Sequence, residues 1–294
     1  VGEGLSVEAD RMCVYLDVSH LPRELLDRKL AGILEIYEKF QGVDPRHAAM
    51  KIFPAVHYSM GGLWCDSDRT AEGGLNVGSP RNQQTNVPGL FAIGECDYQF
   101  HGANRLGANS LVACIFSGLT VAPGVVGYVS NLPQGAADEQ RASLYESAAR
   151  EHRTRYQALL ARPEGGPNPY RIDGELGELM TRAATVVRHN DELEAAYGRV
   201  CELEEAAGRA SLSDNSPWAN QNAVFARALV DMFPLAKTIL KGALARDECR
   251  GAHYKPEFAM PGVEADTPAN LADYRSRIET AIAEARAVVE GTSP

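Results

Sequence analysis

The segment GLFAIGECDYQFHGANRLGANSLVACIFSG, residues 89–118, constrains the fold more than any other part of the chain. Leu90 to Ile93 is an uninterrupted apolar run stopped by Gly94, which suits a strand buried on both faces of a parallel sheet. The following loop, His101 to Ser110, holds a histidine, an arginine, two asparagines and two glycines. It runs directly into the apolar stretch Leu111 to Ala122, which predicts a buried helix. Broken by Ser117, Gly118 and Thr120, that stretch falls short of the roughly 20 apolar residues needed to span a bilayer. Glu95 then stands at the carboxyl end of the strand, where open α/β sheets place their ligands.

Composition narrows the partners. With 45% hydrophobic and 23% charged residues the chain can bury a core. A net charge of −10 opposes a nucleic-acid partner, which requires a concentrated positive field. The six cysteines are scattered with no C-x-x-C pair, so neither a disulfide scaffold nor a metal site is expected. No charged-then-apolar leader is present at the start of these residues.

Along the chain, Met12–Val18 alternates as a strand. Leu25, Leu26, Leu30, Ile33, Leu34 and Tyr37 recur at helical spacing behind Pro22, and a turn at 42–45 closes that helix. Residues 52–60 form a short apolar piece, and LWCD and LNVG read as short strands. After about residue 131 the character changes. Helices are expected over 138–161, over 176–188 and over 223–244, the last with Pro234 as a kink. Asp191 and Glu194 have the spacing of a capping box between them. A final helix is expected over 274–289. Residues 131–137 are the expected linker between an α/β portion and a helical bundle.

The chemistry of the polar segment can be read residue by residue. A carboxylate at Glu95 suits the hydroxyls of a ribose or ribityl chain. A helix beginning near Asn109 aims free amides and a positive dipole end at the same place. Arg105 supplies a planar fork for a carboxylate, and His57 lies beside the glycines of HYSMGG. These residues predict a dicarboxylate or phosphate site near a helix N-terminus and name no cofactor.

Three motifs, HYSMGGLW at 57–64, TNVPGLFAIGECDYQFHGANRLGANSL at 85–111 and RGAHYKPEF at 250–258, resemble the flavoprotein subunit of succinate dehydrogenase and fumarate reductase. The likeness is strongest to the branch found in menaquinone-using bacteria and extends over about residues 10–260. It implies FAD as cofactor and a dicarboxylate, succinate or fumarate, as substrate. It also implies an iron–sulfur subunit and a membrane-anchor subunit as partners, with peripheral attachment at the cytoplasmic face of the inner membrane and no span in this chain. By the same resemblance His57 and Arg105 bind the substrate carboxylates, while Glu95, Asn109, Ser110 and Leu111 contact FAD. Ser59 and Gly61 lie near substrate or flavin, or simply form a turn. His101 is expected to pack or hydrogen-bond, His253 to serve interdomain structure, and Arg250 and Lys255 to face the iron–sulfur partner.

The domains implied are a capping-domain remnant at 1–50, the C-terminal part of a Rossmann-like FAD-binding domain at 51–130, a helical domain at 131–262 and an unassigned helical tail at 263–294. The family's G-x-G-x-x-G loop and its flavin-linking histidine have no counterpart here. The arginine that transfers the proton is expected before Val1, so no catalytic residue is assigned within the chain. The 294 residues alone are therefore expected to bind FAD weakly and not to oxidise succinate. Two other readings stay open: a flavoenzyme like L-aspartate oxidase, which shares the wording around HGANR, and a non-enzymatic remnant that docks with a partner.

Overall fold

The computed structural model describes residues 6–7, 13–53, 55–133, 142–259, 276, 279–280 and 283. The chain divides into two compact units, Val1–Gln134 and Gly135–Pro294.

In the first unit, β1 (Val14–Leu16) pairs antiparallel with β2 (Met50–Ile52), Tyr15 opposite Lys51. The single helix expected between them is two, α1 (Arg23–Lys29) and α2 (Ala31–Gln41). Leu30 leaves helical geometry at φ −125° and ψ 6°, which turns the chain between them. Gly42, left-handed at φ 68°, ends α2. Leu26 and Leu34 face Val18 and Met50 in a small buried cluster, with Tyr37 against it. Ile33, which shares the helical spacing, is exposed.

Two expectations for the central segment are corrected. Residues 90–93 form no strand: Phe91 makes one antiparallel bridge with Gln84, and the Ala92 amide donates to Gln83 O at 2.9 Å. Ala92 is buried while Leu90 and Ile93 stand half exposed. Among the described residues no second strand lies beside this run, so its backbone pairs with the loop at 83–85 instead. LWCD and LNVG likewise reduce to isolated bridges, Leu63 with Asp97 and Arg69 with Leu75. The α/β character expected of this portion is therefore represented, among the described residues, by the β1–β2 pair.

The helix after the polar loop is α3 (Asn109–Ser130), which continues through Pro123. It is not buried. Its covered face holds Ser117, Thr120 and Gly124, whereas Leu111, Ile115 and Leu119 are 74%, 64% and 70% exposed. A Cβ on Gly124 would come within 2.8 Å of Pro80 O, so the small residues permit the loop at 80–94 to approach the helix backbone. Phe91 and Tyr128 add an edge-to-face contact. By length and composition alone α3 is long and apolar enough to cross a membrane, which corrects the expectation that its apolar stretch is too short.

The second unit contains α4 (Ala142–Leu160), α5 (Pro169–Ala184), α6 (Asn190–Gly208) and α7 (Gln221–Leu244). Leu176 and Leu179 of α5, Leu193, Val200 and Leu203 of α6, and Leu229, Phe233 and Leu240 of α7 share one core. The start of α5 precedes the expected Leu176, because Asn168 accepts from the amides of Tyr170 and Arg171 and Pro169 occupies the first position. It ends at Ala184, leaving Val186 exposed. Asp191 is not a cap: α6 starts at Asn190, and Asp191 and Glu192 sit in its first turn, where carboxylates suit the dipole. Asn220 caps α7, and Pro234 lies inside it. Residues 138–141 and most of 274–289 lie outside the described residues; Ser276, Glu279, Thr280 and Ala283 are helical.

Candidate functional site

In the first unit three segments distant in sequence are fastened together by backbone. The Leu63 amide donates to Cys96 O at 2.7 Å. A Cβ on Gly62 would lie 2.3 Å from that same oxygen, so no side chain fits there. The Ser59 amide donates to Glu95 Oε1 at 2.8 Å, which ties the His57 segment to Glu95. Gly94, left-handed at φ 76°, donates its amide to Ser117 Oγ of α3 at 3.0 Å.

Tyr58 links this pair of segments to the polar loop. Its ring meets the edge of His101 at 4.9 Å, and the Arg105 guanidinium lies over it at 5.5 Å from the centroid. Arg105 Nη1 also donates to Leu106 O at 3.0 Å. Burial pushes the Tyr58 phenol above its usual range, reinforced by nearby Cys114, Glu95 and Asp97, so the ring stays protonated and neutral.

A buried polar network supports the turn at 94–97. Gln83 Nε2 donates to Ala92 O at 2.9 Å and to Asp97 Oδ2 at 2.8 Å. The Gln99 amide donates to Asp97 Oδ1 at 3.2 Å, and its side chain reaches Cys65 Sγ and Gln83 Oε1. Burial raises the Asp97 carboxyl above the ordinary carboxylate range, opposed by the bonds from Gln83 and Gln99 and by His101. These bonds satisfy the carboxylate while removing it from water, the condition under which buried polar groups rigidify a turn.

The residues read from sequence fall as follows. Glu95 and Arg105 are both joined to the His57 segment, through Ser59 and Tyr58 respectively. The His57 imidazole is exposed and makes no hydrogen bond among the described residues. Asn109 and Ser110 are half buried and Leu111 is exposed at the start of α3. No side chain caps this end, where Ala108 takes the left-handed conformation at φ 61°; the Asn109 amide donates to Leu106 O at 3.2 Å, and those of Ser110 and Leu111 are available to a ligand. His101 packs as expected, with Nε2 buried and unpaired among the described residues. Sequence reading missed Tyr58, Gln83, Asp97 and Gln99. The neighbour of a proposed ligand-binding histidine and an acid two residues past Glu95 were the available signals.

An exposed carboxylate beside a left-handed glycine that bonds to α3, together with the uncapped N-terminus of that helix, fits a flavin nucleotide: a hydroxyl-rich chain for Glu95 and an electron-rich group for the amides. These residues could hold FAD.

The RGAHYKPEF motif belongs to the second unit. Arg188 Nη1 approaches His253 Nδ1 at 2.7 Å, and His253 Nε2 approaches Arg246 O at 2.9 Å. A guanidinium only donates and a carbonyl only accepts, so His253 is neutral with its proton on Nε2. Its bonds lie within this unit, where it serves structure. Lys255 corrects the expectation that it faces a partner: it is fully buried, donating to Leu244 O at 3.3 Å and to Asp247 Oδ1 at 3.2 Å. It thereby satisfies a carbonyl at the end of α7. Arg250 is exposed and paired with Glu248.

Comparison with known proteins points to the same cofactor. Residues 3–111 match the family described as FAD binding domain, and residues 173–281 match fumarate reductase flavoprotein C-term. The two together define a chain of the FAD-binding flavoprotein class. The chain is 45% identical over 258 residues to the succinate dehydrogenase flavoprotein subunit of Bacillus subtilis, covering 88% of this chain and 41% of the relative. It is 30% identical to the fumarate reductase flavoprotein subunit of Haemophilus influenzae, over 83% of this chain and 38% of that one. The solved structure of a quinol-fumarate reductase with menaquinol molecules superposes with a TM-score of 0.70 at 28% identity, covering 86% of this chain and 41% of that chain. The chain belongs to the family of succinate dehydrogenase and fumarate reductase flavoprotein subunits. It spans about two-fifths of the length of these relatives.

Proposed function

We propose that these residues form part of the flavin and dicarboxylate site of a succinate:quinone oxidoreductase flavoprotein subunit, interconverting succinate and fumarate. His57 and Arg105 hold the substrate carboxylates, Arg105 by a bidentate fork that also polarises the substrate. Glu95 engages the hydroxyls of FAD, and Asn109, Ser110 and Leu111 contact it from the first turn of α3, Ser110 and Leu111 through their amides. FAD, when bound, supplies the centre that accepts or returns hydride. The partners are an iron–sulfur subunit, which takes the electrons, and a membrane-anchor subunit that attaches the complex at the cytoplasmic face of the inner membrane. Residues 1–50 belong to the capping domain, 51–130 to the FAD-binding domain and 131–262 to the helical domain. Among the 294 residues there is no G-x-G-x-x-G loop, so this stretch alone binds FAD weakly and does not turn over succinate.

The observation that carries the reading is the joining of two motifs at one place: Ser59 to Glu95, and Tyr58 to Arg105. The test is Arg105→Lys in the flavin-loaded protein expressed from its own gene with its partner subunits. A point-charge ammonium cannot replace the fork, so succinate-dependent dye reduction should fall by at least about 100-fold. Unchanged turnover with an unchanged KM would remove Arg105 from the site.

A further inference from the structure

Arg105 has no carboxylate partner among the described residues; its one hydrogen bond there is to the carbonyl of its neighbour Leu106. A guanidinium on a long flexible stem held at one nitrogen would retain much rotamer freedom, and that freedom would be lost on each substrate binding. The structure offers a second constraint. The Arg105 guanidinium carbon lies over the Tyr58 ring at 5.5 Å from its centroid, within the range of a cation–π contact. The ring is itself fixed. His101 meets it at 4.9 Å with planes 86° apart, and the next residue is pinned by the bond from Ser59 N to Glu95. The phenol, half buried and neutral, keeps this face available across ordinary pH.

We propose that Tyr58 is the positioning residue for Arg105: its ring, wedged against His101, holds the guanidinium so that the fork meets an incoming carboxylate already oriented. The inference rests on the reading of Arg105 as the carboxylate clamp and adds to it the group that sets specificity for a bidentate anion. It acts through Arg105 and touches no substrate atom.

The experiment measures the Kd of malonate, a dicarboxylate that cannot be oxidised to an alkene, by flavin difference absorbance. It uses the flavin-loaded protein expressed from its own gene with its partner subunits, in the variants Tyr58→Leu, Tyr58→Phe, Arg105→Lys and the double Tyr58→Leu/Arg105→Lys. Tyr58→Leu should weaken malonate about tenfold, the size of a partly desolvated cation–π contact. Tyr58→Phe should remain within about twofold, because the ring and not the hydroxyl does the holding. In the Arg105→Lys background Tyr58→Leu should add little, since the planar fork it orients is gone. A parallel series of phenylalanines at position 58 with increasing fluorination keeps ring size while weakening its quadrupole, so malonate affinity should fall stepwise. This series guards against a Tyr58→Leu protein that fails to fold. An Arg105→Lys variant with unchanged malonate affinity would sink the clamp reading itself. With that affinity lost, a flat fluorination series, or full additivity of the two single substitutions, would overturn the role of Tyr58 alone.

Discussion

The two units hold themselves together by different means. The helical unit packs one face of each of α5, α6 and α7 into a shared core, and its buried residues are overwhelmingly apolar. The site-bearing unit around residues 57–110 is held by backbone hydrogen bonds, close glycine approaches and buried amide side chains such as Gln83 and Asn82. Its long helix shows Leu111, Ile115 and Leu119 to the outside and small polar residues to the inside. Side-chain periodicity therefore explains the helical unit, and chain geometry explains the other. A substitution that deletes apolar volume should hurt the first most, and one that adds a single methyl to a backbone crossing should hurt the second.

The largest effect expected is from Phe233→Ala. Phe233 is fully buried in the middle of α7 against the α5–α6 core, so truncation should cost about 4 kcal/mol of unfolding free energy in urea. Malonate affinity of the protein that remains folded should not change. A loss below about 1 kcal/mol would mean that this core relaxes around the void. Gly62→Ala is its counterpart in the site. The new methyl would sit 2.3 Å from Cys96 O and 2.7 Å from its carbonyl carbon, both backbone atoms. The expected cost is about 2 kcal/mol, and here flavin affinity should fall with stability, because the displaced turn carries Glu95. Normal flavin binding in a Gly62→Ala protein would show that the crossing at Cys96 does not position Glu95.

These contrasts also say what could be read in advance. Leu176, Leu179 and Ala183 advertise the α5 face because burial and a 3.6-residue period coincide there. Glu95, Arg105 and His57 were legible as a set through their motifs. The run Leu90–Ile93 misled because an apolar run predicts a strand without naming its pairing partner, and here the only paired neighbour among the described residues is the loop at 83–85. The exposure of α3 was equally invisible, since an apolar sequence does not say which side is covered. Gln83 and Asp97 escaped because their contact joins positions 14 residues apart by side chains, with no periodicity to mark it. Lys255 escaped for a different reason. A lysine reads as surface until its ammonium is seen to end a helix.

Capping gives a smaller and cleaner perturbation of the helical unit. Asn220 is buried, accepts from the Ala223 amide at 2.9 Å, and donates to Asp214 O and Ser216 O. Asn220→Ala removes the cap and leaves those carbonyls without that donor, so thermal or urea unfolding should report a loss of about 2 kcal/mol. Asn220→Asp should recover the cap but not the two donated bonds, and should fall between the two. Equal losses in both variants would assign the effect to the loop and not to the helix end.

The last effect is a pH slope, and its sign separates a buried polar latch from a surface pair. His253 is held neutral between Arg188 and Arg246 O, and burial lowers its titration below the ordinary 6.5, helped by the cations of Arg246, Arg188 and Lys255. The unfolded chain then binds a proton more readily than the folded one as pH falls past 6.5. Its stabilising contribution is complete above that value and is lost progressively as pH falls through the lowered folded value. His189, bonded to Glu257, is raised instead, with its contribution complete below 6.5 and lost as pH rises. Both members of that pair are exposed, so salt screens it. At high salt the His253 slope should remain: unfolding free energy should decline on acidification below 6.5, and His253→Gln, which can still accept from Arg188 and donate to Arg246 O, should flatten it. A slope identical in the two proteins would place the acid sensitivity elsewhere in the unit.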